Sequence, residues 1–496
     1  MILRSAVLLG DSESRRVDVK IDGGRIAEIA PAGAVDSSKD HQELPLDGRV
    51  LGPGMWDEHV HIGMWAEYRK RVSLEQAQSA QDAVEAMAAG LTDQPGDSLH
   101  IGVGFRDGLW PDQKTLDLID RYSGSRPWLL WSIDVHSCWL NSAAMERLGL
   151  SSPDGSGVFR ERQAFAIAET TKERDLAIRD QWVAEAMDAA AQRGVVGIVD
   201  LDFDDAPTHW IRRRSGQDDF AVRVEAGVYP DYFDAAIARG DHTGREIAPG
   251  VHIGPLKVIT DGSLNTRTAY CCEPYLGIPG HEQGAMNHSR DELEALMRKG
   301  VEAGFLPAFH AIGDEANRLV LDVFEAVGTP GRIEHAQLLR AVDFERFASL
   351  GVIASLQPQH AIDDRDVADH YWADRIDRVI AMRSLLDAGA RVVLGSDAPV
   401  SPLDPLVQVA AACARTDDSR RPWVPAQRVS IQEALSASSR IAVREGEPAD
   451  LAVFGADPLW LASALGTDPQ RLSRALRELP VELTLVEGRI THSVLD

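Results

Sequence analysis

Between residues 53 and 425, short apolar runs alternate with helical stretches, and this alternation restricts the chain to few folds. The runs LGPGMWDEHVH, GVVGIVDLD, VRVEAGVY, IGPLKVITDG, LPAFHAIGD, RIEHAQLL, GVIASLQP and ARVVLGSDAP number eight. Helical patterns such as LAIRDQWVAEAMDAAAQRG, DELEALMRKGVEAG and EANRLVLDVFEAVG lie between them. Strands separated by helices pair in parallel, because the crossover helix carries the chain back to the same end of the sheet. Eight such units predict an α/β fold, a closed (β/α)8 TIM barrel. The two ends of the chain read differently. VDVKIDGGRIAEIAP alternates around an Asp-Gly-Gly turn, and ADLAVFGADP and VELTLVEGRITH do the same near the C-terminus. The expectation is a small β-sandwich domain built from both termini. Residues 1–52 supply its first part, 53–425 form the barrel, and 426–496 add a C-terminal helix and the rest of the small domain. The stretch from about 66 to 165 is too long for a βα loop. It carries extra strand-like pieces, IGVGFRD and WLLWSID, and reads as an insertion after the first barrel strand.

Charge and composition exclude several function classes. The chain carries 51 basic and 77 acidic residues, a net charge of −26, which argues against a nucleic-acid partner. It has no apolar run of the roughly 18 residues that a membrane span needs. The segment MILRSAVLLGDSESRR lacks a small-residue cleavage site and reads as a first strand, not a signal peptide. The four cysteines, Cys138, Cys271, Cys272 and Cys413, form no CxxC pair and suit a reducing, cytoplasmic setting. A small-molecule substrate is the expected partner, and a homo-oligomer is left open.

Residues of metal-binding type recur at the ends of the predicted strands. His59 and His61 lie two apart on the first strand and so share a face. Lys257 lies on the fourth, His310 on the fifth, His335 on the sixth and Asp397 on the eighth. Any one histidine reads most simply as a hydrogen-bonded core residue. Together, at the strand ends where barrel enzymes place their chemistry, they point to a metal centre. Only seven of the 51 basic residues are lysines, and Lys257 sits in the apolar run PLKVIT. Paired to an acid such as Asp261, it would be an ordinary strand-edge lysine. Buried, its amine would lose its proton more readily and could take up carbon dioxide as a metal-bridging carbamate.

Several longer motifs resemble one family. PGMWDEHVH is similar to the pattern PGFIDxHxH, from which Met55-Trp56 and Glu58 depart. With DVHSCWLNSAAM, VKVITDGSLNTRTA, AFHAIGD, RIEHAQ, SLQPQH, GSDAPV and PADLAVF, the chain resembles the third branch of the amidohydrolase superfamily, the N-substituted formamide deformylase-like proteins. The resemblance implies that His59, His61 and Asp397 hold a buried metal and that His310 and His335 hold a more exposed one. N-carboxylated Lys257 would bridge them. It implies two zinc ions, with Mn, Fe, Co or Ni as alternatives and a one-metal site using part of the set as another, and Asp397 as base and then acid around a metal-activated hydroxide. The activity implied is hydrolysis of a C–N bond in an amide or N-formyl amine with an apolar substituent. Alternatives are a deaminase, a cyclic-amide hydrolase, or a non-catalytic metal-binding relative.

Further candidates are weighed on their residues. His136, Trp139 and Asn141 form a substrate-facing element by the same resemblance, though Trp139 and Asn141 would serve equally to pack and cap the helix NSAAMERLG. His360 either contacts substrate or orients a ligand, or is a plain loop residue. Trp56, Trp65, Trp110, Trp128, Trp131 and Trp139 could wall an apolar pocket, but an insertion of this size also needs its own core. Cys271 and Cys272 read as small, partly buried residues. Asp363, Asp364 and Asp366 read as a solvated acidic face, with a selector for a cationic substrate as the alternative.

Overall fold

The computed structural model describes residues 1–36, 42–91, 98–152, 154–171, 175–215, 220–278, 282–465 and 468–495. Eight parallel strands form the barrel: β1 (Met55–Val60), β2 (Val195–Asp200), β3 (Arg223–Val228), β4 (Val251–Ile259), β5 (Pro307–Ala311), β6 (Gly331–His335), β7 (Val352–Leu356) and β8 (Val392–Leu394). Neighbours in sequence are neighbours in the sheet. Every residue of β1, β2, β5 and β6 is buried, as expected of a parallel strand with side chains on one face and helices on the other. The barrel closes between β8 and β1. Asp397 donates its amide to the His59 carbonyl at 2.7 Å, and His61 donates to Ala398 at 2.9 Å. Gly395 permits this approach, since a Cβ there would lie 2.6 Å from the His59 nitrogen.

The helices show the caps that their sequences imply. Ser289 and Glu292 form a capping box ahead of Arg290–Glu302, and Asp175 caps Leu176–Ala191. Among the described residues no helix is long and apolar enough to cross a membrane.

The two termini meet as expected. Leu451–Phe454 pairs antiparallel with Val50–Pro53, which pairs in turn with Ile2–Leu8. The strands form one continuous eight-stranded sheet. Its far strand, Arg25–Pro31, returns to residues 446–449, where Ile26 donates to Glu447 and Ala449 to Gly24. The sheet therefore folds over its own core of Leu3, Val19, Leu51, Leu451, Val453 and Leu485, and that is the form the sandwich takes.

The insertion after β1 carries a separate five-stranded sheet in the order Val158–Arg160, Ser137–Leu140, Trp128–Ser132, His100–Phe105 and Val72–Ser73. Trp128 and Trp139 are fully buried in its core with Phe105, Ile119 and Leu130. The tryptophan-lined metal pocket is thereby corrected. None of the six indoles lines the cavity over the metal-type residues; Trp128 and Trp139 are spent on the core that an inserted unit of this size needs.

Candidate metal centre

The barrel brings the strand-end residues together. His59 Nε2 lies 3.4 Å from Asp397 Oδ1, His61 Nε2 lies 3.3 Å from the same oxygen, and Lys257 Nζ lies 3.3 Å from His59 Nε2. The ring of His335 is 4.8 Å from that of His59 and 4.5 Å from that of His310. Candidate ligand atoms of His59, His335 and Asp397 all lie within 4.8 Å of one another. His335 and Asp397 adopt left-handed backbone angles, φ +73° and +57°. Such conformations cost energy in non-glycine residues and cluster at functional sites.

Burial sets the protonation of the group. It lowers His59 to about 4, with Lys257 adding to the effect, and it holds His310 and His335 well below the ordinary histidine range. Neutral imidazoles are the form that binds metal. Burial also lowers the Lys257 amine to about 8. Lys257 does not pair with Asp261. That carboxylate accepts backbone amides from Tyr270, Ile312 and Gly313 at 2.9–3.0 Å and faces His310 at 3.5 Å. Asp397 stays ionised. Burial would raise its pKa, but the surrounding histidines more than offset that.

The residue set fits a divalent ion. The His61 and His335 Nδ1 atoms are buried without a hydrogen-bond partner among the described residues, and a polar atom left so is costly unless something binds it. Imidazole and carboxylate donors suit zinc and its first-row neighbours.

Behind the site runs an ion network that sequence reasoning missed. Glu334, fully buried, accepts His59 Nδ1–H at 2.7 Å and pairs with Arg332. Arg332 reaches Glu58 at 3.1 Å, and Glu58 meets Arg440 at 2.7 Å. The Arg440 guanidinium lies 3.5 Å from the Trp56 ring centroid. The motif departures at Trp56 and Glu58 thus belong to one structure that holds His59 from behind. Its one sequence signal is the pair of charges inside the apolar strand RIEH.

Of the expected substrate residues, the structure brings two to the cavity. His136 lines it, with Nδ1 2.9 Å from Glu161. Burial disfavours its charge, but the bond to Glu161 together with the charges of Asp134, Glu161 and Asp397 outweighs this and raises its pKa. His360 also lines it, 3.8 Å from Asp397. Trp139 and Asn141 do not. Trp139 is core, and Asn141 accepts the amides of Trp128 and Ala144, each at 2.9 Å, as the cap of Ser142–Leu148. Cys271 and Cys272 also lie off the cavity, their thiols raised by burial. The acidic loop is corrected too. Asp363 pairs with Arg106 at 2.9 Å, and Asp364 is buried in the cavity wall, accepting Gln337 at 3.0 Å. Only Asp366 is mostly solvated, beside Arg420.

Comparison with known proteins places the chain in a family and a fold. The family model described as "Amidohydrolase family" matches residues 42–492. The chain is 28% identical to the protein YtcJ of Bacillus subtilis, over 92% of this chain and 91% of that one. It is 24% identical to an N-substituted formamide deformylase of Arthrobacter pascens, over 96% and 94%. The crystal structure of an uncharacterized metal-dependent hydrolase from Pyrococcus horikoshii shares the fold. Its TM-score is 0.77 at 24% identity, covering 92% of this chain and 98% of that one.

Proposed function

The chain belongs to the amidohydrolase family, and from that premise we propose that it hydrolyses the C–N bond of an amide or N-formyl amine bearing an apolar substituent. One observation carries the reading: ionised Asp397 within 3.4 Å of two imidazoles, with the buried amine of Lys257 beside them, at the floor of a small cavity. His59, His61 and Asp397 would hold one divalent ion, and His310 and His335 a second, with N-carboxylated Lys257 between them. Zinc is the first choice, with Mn, Fe, Co or Ni as alternatives. Bound there, the ions supply Lewis acidity and lower the pKa of a water molecule.

The chain's own groups do the rest. The neutral amine of Lys257 adds to the carbon of carbon dioxide and loses one proton, leaving a carbamate. Asp397 takes the proton of the attacking water and hands it to the departing amine, base first and acid second. Glu334 fixes the His59 ring. His136, with Nδ1 occupied by Glu161, presents Nε2 to the substrate's polar atoms. The free cysteines are compatible with a reducing cytoplasm.

The test is metal analysis with hydrolysis assays of wild type and Asp397→Asn against N-formyl amines, amides and esters. Wild type hydrolyses at least one C–N substrate, and the variant loses on the order of 10²–10⁴ in rate while keeping its fold. Ammonia release from an aminated ring, or opening of a cyclic amide, would move the assignment to those reactions. Equal inertness of both proteins across the panel would refute catalysis.

A further inference from the structure

A second, larger cavity adjoins the metal cavity. It has a volume of about 530 Å³, against about 80 Å³ for the cavity over His59 and Lys257. The two share Val135, Phe165, Phe203, Tyr229, Ile259 and Pro399. Phe203 stacks on His61 at 4.9 Å, and Tyr229 lies 5.4 Å from Phe203, so an aromatic partition stands between the ligands and the chamber. Phe165 is 36% exposed, a large apolar side chain left uncovered where the cavities join. The inserted sheet gives the chamber Ile101, Val103 and Trp131, and Trp131 is the one tryptophan of the six that reaches either cavity.

The two volumes divide a substrate. The metal cavity has room for about three water-sized groups, before any ion is seated. An amide with large groups on both sides does not fit there. The chamber is within the range of sites that enclose drug-sized ligands, and its wall is aromatic and aliphatic. Among the described residues its charged side is acidic. Glu67, Glu169, Asp202, Asp204 and Asp231 line it with two arginines, and both of these already meet carboxylates. Arg179 lies 3.3 Å from Glu67 and 3.1 Å from Asp204, and Arg71 lies 3.8 Å from Glu67. A carboxylate on the substrate would enter a field of its own sign.

We propose that the chamber binds the larger substituent of the substrate, a neutral or cationic aromatic or alkyl group, and that the metal cavity admits only the scissile group with a short group on its other side. The inference rests on the C–N hydrolase reading above and adds two rules: the substrate is large on one side only, and it bears no carboxylate.

The test uses the metal-loaded enzyme and two mirrored series. One is N-alkylformamides from methyl to octyl, with N-phenethylformamide. The other is N-methylamides of acids of rising size. In one series kcat/KM rises roughly three- to fourfold per methylene until the chamber fills. N-benzylbenzamide, large on both sides, and N-formylphenylalanine, which adds a carboxylate, each fall at least tenfold below their one-sided or neutral counterparts. Ala168→Trp, which fills the chamber from the helix Arg162–Thr171, lowers the ratio of large- to small-substrate kcat/KM tenfold or more, and Ile101→Trp repeats this from the sheet. Calorimetry with 4-phenylbutan-2-one, which has no scissile bond, reads the chamber without hydrolysis, and its binding weakens in both variants. If no amide is cleaved but the ketone binds and the variants weaken it, the chamber stands and the hydrolase reading falls. If amides are cleaved with no size dependence, or the ratio is unchanged in both variants, or the ketone does not bind, the chamber assignment is overturned.

Discussion

Replacing Glu334 by Gln changes one atom behind the metal centre and tests whether the buried ion network positions His59. The Glu334 side chain has no solvent contact, and its carboxylate accepts from both His59 Nδ1, at 2.7 Å, and Arg332. Burial alone would raise its pKa, but Arg332 and His59 more than offset this and hold it far below the usual carboxylate range. A glutamine has one oxygen. Whichever way the amide turns, its NH2 faces either the His59 N–H or the Arg332 guanidinium. Losing a charge-assisted bond costs about 1.5–3 kcal/mol. Arg332 keeps Glu58 at 3.1 Å but loses its nearest counter-charge, which moves the cost towards the 3–5 kcal/mol of a broken buried pair. We expect a loss of about 3 kcal/mol in urea denaturation of the metal-free protein. With the His59 ring no longer fixed, zinc affinity falls about 10–100-fold by competition with a chromogenic chelator. An unchanged urea midpoint would refute the energetic argument. A lowered midpoint with unaltered zinc affinity would refute the positioning role and leave Glu334 a purely structural residue.

Two further outcomes follow from residues away from the metal. Asn141→Ala removes the cap of Ser142–Leu148 and the bonds to Trp128 and Arg126, so thermal melting should show a loss of about 2–3 kcal/mol with KM unchanged. A shifted KM with an unshifted melt would return Asn141 to the substrate. Asp18 is buried in the terminal sheet, where burial pushes its carboxyl up, but the Ser5 and Gly33 amides and Arg4 at 2.6 Å prevail and lower it. A carboxyl lowered on folding stabilises the protein above its unfolded pKa of about 4, and the contribution is lost as pH falls through and below that value. Asp18→Asn should therefore lower the urea midpoint at pH 7, and the gap to wild type should narrow as pH falls through about 4 and below. A gap constant with pH would refute this.

Period and composition carried much of this protein in its sequence. His59 and His61 share a face because strand side chains alternate, and Lys257 stood out as a rare lysine in an apolar run. Parallel strands between helices already implied a barrel with its chemistry at the strand ends. These are local properties, set by backbone hydrogen bonding and by which residues can be buried, so neighbouring letters reveal them. Trp139 and Asn141 were ambiguous for the opposite reason: the same residue types serve a core, a cap or a ligand, and only the five-stranded sheet of the insertion decides between them. Glu334 reads in sequence as one acid before a histidine, and its bond to His59 exists because closure of the barrel sets β6 across from β1. The chamber has no sequence signature at all, since it is the space left where the insertion meets the barrel mouth. The chain thus determined its strands and most of its candidate ligand set by short-range rules, while packing between distant segments decided what positions those side chains and what room lies beside them.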